Sequence, residues 1–320
     1  MNKFFVVIVL IAVISSFLGS YSSHARILSP EESRQFLKRI IHNSTSHSYW
    51  GIWKLTNYAD DNDSILYEVV YVPRYGFGWI NLNDPRHYII GDGTYRFIYD
   101  ADRQMISAVY PGFDLPFLPL GEDNIDVLIT NYLVNLEDNI ALIISRESGQ
   151  VVKSFEMDDS ESLVSQTYYS NDGRVIKQGE YIYRIDHPDD TQIEKIYQVM
   201  VQVIQKKNAF PEIRFNRKRM LTPRLLPPGY SLRRSYLIDG EQGKMYQMVY
   251  SDGINFFSLF QSLALFPSDL PGLLKRTIIK KDGELTTLIG EKKGHRMFLV
   301  GNLSSEVLSE IFDSISADGG

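Results

Sequence analysis

Two kinds of hydrophobic spacing occur along this chain, one typical of helices and one typical of strands. Ser29 and Glu32 form a capping-box pattern ahead of four apolar residues at helical spacing: Phe36, Leu37, Ile40 and Ile41. Short runs rich in aromatic and β-branched residues then follow, separated by Gly and Asp, at 50–58, 65–72, 86–90, 94–99 and 104–109. This spacing predicts an antiparallel meander with an amphipathic helix lying on it.

The pattern continues with two more predicted helices and four more strands. The second helix is predicted from apolar residues at helical spacing: Ile125, Leu128, Ile129, Tyr132, Leu133 and Leu136. Four strand candidates come next, with hairpin turns at Ser148-Gly149 and Asp172-Gly173. A third helix is predicted to begin at Asp189-Asp190.

A smaller region of the same kind follows a basic, proline-containing segment at 206–228. Its strands are predicted around Leu232 and at 245–250, 254–260, 277–280, 285–289 and 296–300, with a last helix to about residue 315. The fold class is therefore α+β with two domains. A curved antiparallel half-barrel sheet with helices occupies 26–215, and a smaller antiparallel sheet with a C-terminal helix occupies 216–320.

The first residues predict export. Residues 4–18 are almost entirely apolar, and Ser23-His24-Ala25 fits a signal-peptidase site, so we expect a signal peptide at 1–25 that is cleaved after Ala25. An uncleaved anchor is the alternative, but the apolar run is shorter than the roughly 20 residues of a spanning helix. The chain has no cysteine, which suits a bacterial envelope and predicts a periplasmic protein without disulfides.

Charge argues against nucleic acid as a partner. The formal net charge is -6, and removal of Lys3 with the signal peptide makes it one unit more negative, whereas phosphate binding needs an excess of Lys and Arg. Basic residues crowd only into 214–224, where Arg217 and Arg219 are candidates for a partner surface. A solvated linker explains this segment equally simply.

The motifs of enzymes are missing from the sequence. It contains no G-x-S-x-G elbow, P-loop or H-E-x-x-H pair, and Gly76-Phe77-Gly78 has Asn81 where a dinucleotide fingerprint needs glycine. The histidines are scattered, and surface or structural roles suit them better than metal binding. We therefore expect no catalytic residues, no metal and no cofactor.

Aromatic residues supply the candidates for binding. Six of them cluster in consecutive strands and the following proline-rich loop, and we predict that they contribute to an apolar ligand cavity or its rim: Trp53, Tyr71, Phe77, Trp79, Phe97 and Phe117. Ordinary core packing is the alternative. Downstream, Asp252-Gly253 predicts the turn of a hairpin with aromatics on both faces, where Phe257 and Leu259 are partner-surface candidates. A strand covered on both sides is the alternative there.

Several motifs of the second region resemble the C-terminal domain of the MucB/RseB family of periplasmic sigma-factor regulators. The resemblance covers roughly 222–316 and rests on a series of elements in order: Leu226-Pro227-Pro228-Gly229-Tyr230, Tyr250-Ser251-Asp252-Gly253 before a Phe-Ser-x-Phe strand, Leu299-Val300-Gly301, and Ile311-Phe312-Asp313-Ser314-Ile315. Upstream, the stretches at 48–55 and 67–80 resemble the opening strands of the lipoprotein-carrier-type half-barrel of that family.

The resemblance implies a non-enzymatic regulator of envelope stress. Such a protein holds the periplasmic segment of an anti-sigma factor and senses lipid or lipoprotein signals through the half-barrel cavity. Two alternatives remain open at the level of sequence: a periplasmic carrier of lipid or lipoprotein, and an envelope hydrolase whose site is scattered along the chain.

Overall fold

The structure is a computed structural model that describes residues 25–58, 63–73, 75–91, 95–111, 122–170, 172–207, 220–240, 243–262, 278–282 and 285–317. Within these residues the chain forms four α-helices: α1 (Pro30–Thr45), α2 (Glu122–Asn131), α3 (Asp190–Lys207) and α4 (Ser305–Ser314). The described strands are paired antiparallel, so the fold is α+β, as the sequence predicts.

A large curved sheet contains the first twelve strands, in the order β1-β8-β9-β10-β11-β12-β2-β3-β4-β5-β6-β7. Two meanders, β2 to β7 and β8 to β12, are joined side by side through the pairing of β12 with β2. The strands are β1 (Arg26–Ile27), β2 (Tyr49–Asn57), β3 (Asp63–Val72), β4 (Gly76–Asn81), β5 (Asp84–Gly91), β6 (Tyr95–Asp100), β7 (Met105–Pro111), β8 (Tyr132–Glu137), β9 (Ile140–Ser145), β10 (Val151–Met157), β11 (Leu163–Tyr169) and β12 (Val175–Asp186).

Helices cover both faces of this large sheet. Apolar residues of α1 and α2 share one buried cluster with Trp53 and Phe77, and we call the face of the sheet that carries these two residues the inner face. Residues Ile196, Met200 and Val203 of α3 share a second cluster with residues of the opposite, outer face. Because successive strand side chains alternate between faces, β3 contributes Val69 and Tyr71 to the first cluster and Val70 to the second.

The helix ends follow the sequence signals. Ser29 caps α1, and its side chain accepts a hydrogen bond from the Glu32 N–H while the Glu32 carboxylate accepts one from the Ser29 N–H. Asp189 caps α3 by accepting from the Gln192 N–H at 3.0 Å. The predicted hairpin turns at Gly149 and Gly173 are also confirmed, and both glycines have positive φ.

The predicted extent of the second helix is wrong. The helix α2 ends at Asn131, and Tyr132–Glu137 instead forms strand β8 between β1 and β9. Tyr132 and Val134 are buried while Leu133 and Asn135 are partly exposed, so the segment satisfies strand alternation as well as helical spacing. Pairing with two neighbouring strands decides between the two patterns.

A second sheet has the order β14-β15-β16-β19-β18-β17 and packs with α4. Its strands are β14 (Ser231–Gly240), β15 (Gly243–Ser251), β16 (Phe256–Ser262), β17 (Ile278–Asp282), β18 (Leu285–Lys292) and β19 (His295–Gly301), and β13 (Leu221–Pro223) pairs separately with β20 (Ile315–Ala317). All seven residues of β16 are buried. The predicted domain boundary near residue 215 lies outside the described residues, so the division at that point stays a prediction.

None of the described helices combines the length and the apolar character that crossing a membrane requires. The predicted signal peptide lies outside the described residues except for Ala25.

Candidate functional site

The two sheets meet where the β15–β16 hairpin turn inserts beside α2 and β8. Asn131, the last residue of α2, donates from its side chain to the backbone oxygen of Asp252 at 2.9 Å and to that of Gly229 at 3.3 Å. The Tyr132 hydroxyl donates to the Asp252 carboxylate at 2.8 Å. Ile254, which follows the turn, belongs to the same buried cluster as the apolar residues of α1. The turn thus connects the second sheet to the core of the first region.

Asp252 is a buried carboxylate at this junction. One of its oxygens accepts hydrogen bonds from the backbone N–H groups of Ile254 and Asn255, at 2.8 and 2.7 Å. Burial nevertheless raises the pKa of Asp252, because desolvation of the charged form outweighs these hydrogen bonds and the one from Tyr132. Burial beside the same carboxylate also raises the pKa of Tyr132, which stays a neutral donor.

We expect stability to depend on the ionisation of Asp252. The folded chain holds this proton more tightly than the unfolded chain, so ionisation costs stability. The free energy of unfolding of the wild-type chain should fall, relative to that of Asp252→Asn, as the pH rises from about 4 through the raised pKa. Urea unfolding of both proteins from about pH 4 to about pH 8 measures this difference.

Asp172→Asn is the matched control for this experiment. Asp172 lies in an exposed hairpin turn, where the hydrogen bond from Arg174 lowers its pKa to about 2. Its contribution should therefore be constant above about pH 5, because the group is ionised in both the folded and the unfolded chain there. An Asp252→Asn difference as flat as that of Asp172→Asn would contradict the prediction.

The inner face brings four of the six predicted cavity residues together. Trp53, Tyr71, Phe77 and Trp79 all belong to the cluster beneath α1, and the rings of Tyr71 and Phe77 have centroids 4.7 Å apart. The Tyr71 hydroxyl donates to the backbone oxygen of Thr45 at 3.0 Å, which fastens the end of α1 to the sheet. All four side chains are buried and pack tightly with their neighbours in this structure.

The other two predicted cavity residues do not join this group. Phe97 lies on the outer face, in the cluster that contains Ile196 and Met200 of α3. It pairs across the sheet with Ile90, which belongs to the same cluster. Phe117 lies outside the described residues. The strand register, which the sequence pattern did not specify, places Phe97 opposite the other aromatics.

The predicted partner-surface residues of the hairpin require a correction. Phe257 and Leu259 are fully buried among residues of β19 and α4, so neither side chain lies on a surface in this structure. The Phe257 ring stacks on that of Tyr250 at 4.8 Å. Strand β16 lies in the middle of its sheet and all seven of its residues are buried, so the strand is covered on both sides. Arg217 and Arg219 lie outside the described residues.

Sequence reasoning missed the polar residues that matter most for the geometry of the chain. The helical pattern includes Tyr132 and does not single out Asn131, and the sequence identifies Asp252 as a turn residue without the contact that buries it. Lys153 and Lys177, discussed below, lie on the inner face within strands. Lys153 lies two residues before Phe155 on the same strand, so both side chains point to the inner face. A charged residue at a position where the alternation predicts an apolar one is the sequence signal that could have identified it.

No group of three or more histidine or acidic side chains in the described part of the chain is arranged to hold a metal ion.

Solved structures of other proteins have the fold that the two connected sheets form. A crystal structure of MucB in complex with MucA(peri) matches with a TM-score of 0.54 and 12% identity, over 90% of this chain and 100% of the matched chain. The complex of Pseudomonas aeruginosa MucA/MucB matches with a TM-score of 0.54 and 13% identity, over 90% of this chain and 99% of the matched chain. A crystal structure of MucB alone matches with a TM-score of 0.53 and 12% identity, over 90% of this chain and 98% of the matched chain. The chain therefore has a MucB-like fold, which confirms at the level of the fold the resemblance seen in the sequence. No protein-family model and no curated protein matches the sequence.

Proposed function

We propose that this protein is a periplasmic regulator of envelope stress that binds the periplasmic segment of an anti-sigma factor. The observation that carries the proposal is the MucB-like fold across both sheets, over 90% of the chain, in a protein that two solved structures contain together with MucA. Structural similarity at 12–13% sequence identity establishes the fold alone. The partner is inferred from this fold together with the sequence motifs at 222–316. The proposed role is binding, with no chemical step.

We place the proposed partner surface around the basic connector and not on the buried hairpin. Residues 214–224 carry five basic side chains, and Arg217 and Arg219 remain the candidates within them. Arg224, at the end of this segment, is exposed, and its backbone N–H donates to Ser314 at the end of α4. Positive charge anchored beside the second sheet would steer an acidic segment toward it, an effect that weakens as salt rises.

The lipid part of the proposal rests on the inner face. Trp53, Tyr71, Phe77 and Trp79 provide an apolar surface between sheet and helix of the kind that lines ligand sites. Because these side chains are packed in this structure, a hydrocarbon chain would have to take the place of groups that now cover them. Movement of α1 away from the sheet is the simplest way to make that room.

The test is a pull-down from envelope extract with the mature chain, residues 26–320. We expect recovery of a membrane protein with a periplasmic segment. Recovery by Arg217→Glu/Arg219→Glu should fall several-fold at low salt, which corresponds to a loss of about 1 kcal/mol or more in the free energy of binding. Arg103→Glu/Arg174→Glu is the matched control, because both arginines are exposed cations beside hairpin turns. If the mature chain recovers no protein, the proposal of a regulator is wrong. If the Arg217→Glu/Arg219→Glu variant and the control variant recover the partner equally, the basic connector is not part of the binding surface.

A lipid or lipoprotein carrier is the second candidate. It is favoured by one observation: two buried lysines, Lys153 and Lys177, share the inner face with the aromatic residues. Cations beside an apolar surface suit an amphiphilic ligand. Recovery of lipid without a protein partner in the same pull-down would favour the carrier over the regulator.

A further inference from the structure

A row of hydroxyl and amide side chains crosses the outer face of the large sheet. The register places one such residue on each of five adjacent strands, β10, β11, β12, β2 and β3, directly opposite the next: Ser154, Thr167, Gln178, Thr56 and Ser64. Thr56 is six positions after Trp50 on β2, and Trp50 packs against the outer cluster, so the row lies on the outer face. Ser154 and Thr56 are buried, and the other three are partly exposed. We call these five residues the polar row.

Two tyrosines lie against the polar row. The Tyr58 hydroxyl donates to the side-chain oxygen of Gln178 at 3.1 Å, and the Tyr169 hydroxyl is 3.2 Å from that of Ser154. Both side chains are therefore on the outer face, and Tyr58 is 43% exposed. Aromatic rings are thus placed beside groups that can both donate and accept hydrogen bonds.

A second aromatic pair lies farther along the same face. The rings of Trp50 and Tyr183 meet edge-on with their centres 5.7 Å apart, and Tyr183 is 51% exposed. Tyr183 pairs across the sheet with Ile52, which is six positions before Tyr58. At the rise of a strand, the two exposed tyrosines are therefore separated by about 20 Å. The face offers aromatic rings at both ends and polar groups between them.

The charged groups on this part of the outer face are balanced or acidic. The Lys54 ammonium faces the Glu180 carboxylate at 3.9 Å, midway between the two aromatic pairs. The Glu68 carboxylate accepts from the Trp50 indole at 2.9 Å, and that of Glu156 accepts from the Ser165 hydroxyl at 2.9 Å. These groups carry no excess of positive charge, so they suit an uncharged ligand better than a phosphate-bearing one.

We propose that this part of the outer face binds an uncharged polysaccharide, the glycan strands of the cell wall. A sugar ring has apolar C–H groups on its faces and hydroxyl or amide groups at its edges. Tyr58 and Tyr183 provide apolar rings for the faces, and Gln178 with its neighbours in the polar row can donate to and accept from the edges. The inference rests on the periplasmic location in the proposed function and does not depend on the anti-sigma partner.

The test is calorimetric titration of the mature chain with two soluble probes. One is the tetrasaccharide of chitin, whose amino sugar also occurs in the cell wall, and the other is the monosaccharide N-acetylglucosamine. The tetrasaccharide should bind at least about tenfold more tightly, because a chain can contact rings and polar groups at several points at once. Co-sedimentation of the protein with purified cell-wall sacculi tests the same surface on the insoluble polymer.

Substitution of the exposed tyrosines identifies the site. Tyr58→Ala/Tyr183→Ala should weaken binding of the tetrasaccharide at least about tenfold, whereas Tyr58→Phe/Tyr183→Phe keeps both rings and should weaken it less than about threefold. Gln178→Leu, which removes the central amide, should weaken it about threefold. Leu225→Ala/Ile279→Ala is the matched control and should change nothing, since these side chains are similarly exposed, at 55% and 48%, and lie outside the large sheet.

Three results would overturn the inference. The first is that the wild-type chain binds neither the tetrasaccharide nor the sacculi. The second is that Tyr58→Ala/Tyr183→Ala and the control variant bind the tetrasaccharide equally. The third is a wild-type dimer in sedimentation velocity that dissociates in Tyr58→Ala/Tyr183→Ala, without sugar binding, which would make this face an interface between two copies of the chain. Recovery of a protein partner in the pull-down should be the same for this variant and the wild type, so failure of the glycan site is distinguishable from failure of the regulator.

Discussion

Trp53→Ala should lower the free energy of unfolding by about 3–5 kcal/mol, which is a large part of the total stability of a typical domain. Trp53 is 0% exposed and is among the largest fully buried side chains of the described chain. Its ring meets that of Tyr181 edge-on at 4.8 Å, and its indole occupies the space that Gly179 leaves. Alanine would create a cavity at the centre of the inner face. Urea unfolding followed by far-UV circular dichroism measures the loss.

Trp50→Ala is the matched control for Trp53→Ala. Trp50 lies on the same strand but on the outer face, where it is partly exposed, and its indole donates to Glu68 at 2.9 Å. We expect a loss of about 1–2 kcal/mol for this variant. A Trp53→Ala loss below about 1 kcal/mol would contradict tight packing at Trp53, and would indicate that the inner face is open there.

Gly253→Ala should destabilise the chain by about 2–4 kcal/mol and uncouple the two sheets. Gly253 has a φ of +105°, which alanine adopts only with strain, and an added Cβ would lie 2.9 Å from the backbone nitrogen of Leu128. The clash pushes the hairpin turn away from α2, and the backbone strain adds to the cost. The contacts of Asn131 and Tyr132 with Asp252 depend on that approach and should be weakened with it.

Fluorescence can report this uncoupling because the three tryptophans of the chain, at positions 50, 53 and 79, all lie in the large sheet. In Gly253→Ala, fluorescence and circular dichroism should give different unfolding midpoints, since circular dichroism also follows the second sheet. Gly173→Ala is the control: it has a φ of +81° with nothing within 4 Å of the added Cβ, so only strain of about 1 kcal/mol is expected. Coincident midpoints and equal losses in the two variants would contradict the proposed junction.

Local signals in the sequence were sufficient for most of the elements. The Ser29 cap, the hairpin turns at Gly149 and Gly173 and the turn at Asp252-Gly253 depend on hydrogen bonds and backbone angles within a few residues, so they can be read from a short window. The alternation in the strands predicted an antiparallel sheet for the same reason. The secondary structure of residues 132–137 was predicted wrongly because the segment fits both the helical and the strand spacing.

The sequence by itself determined the α+β class, the two sets of strands with their helices, and an aromatic-rich first region. Only the tertiary structure decided which face each aromatic occupies, because the face is set by strand register: Phe97 is on the outer face, and Phe257 is buried in a central strand. It also decided that Asp252 is buried against Tyr132, and that Lys153 and Lys177 share one tyrosine ring. Tyr132 and Asp252 are 120 positions apart in the chain, so their contact forms only when separate elements pack together. The lysine contacts depend on the strand register, which the sequence pattern does not specify.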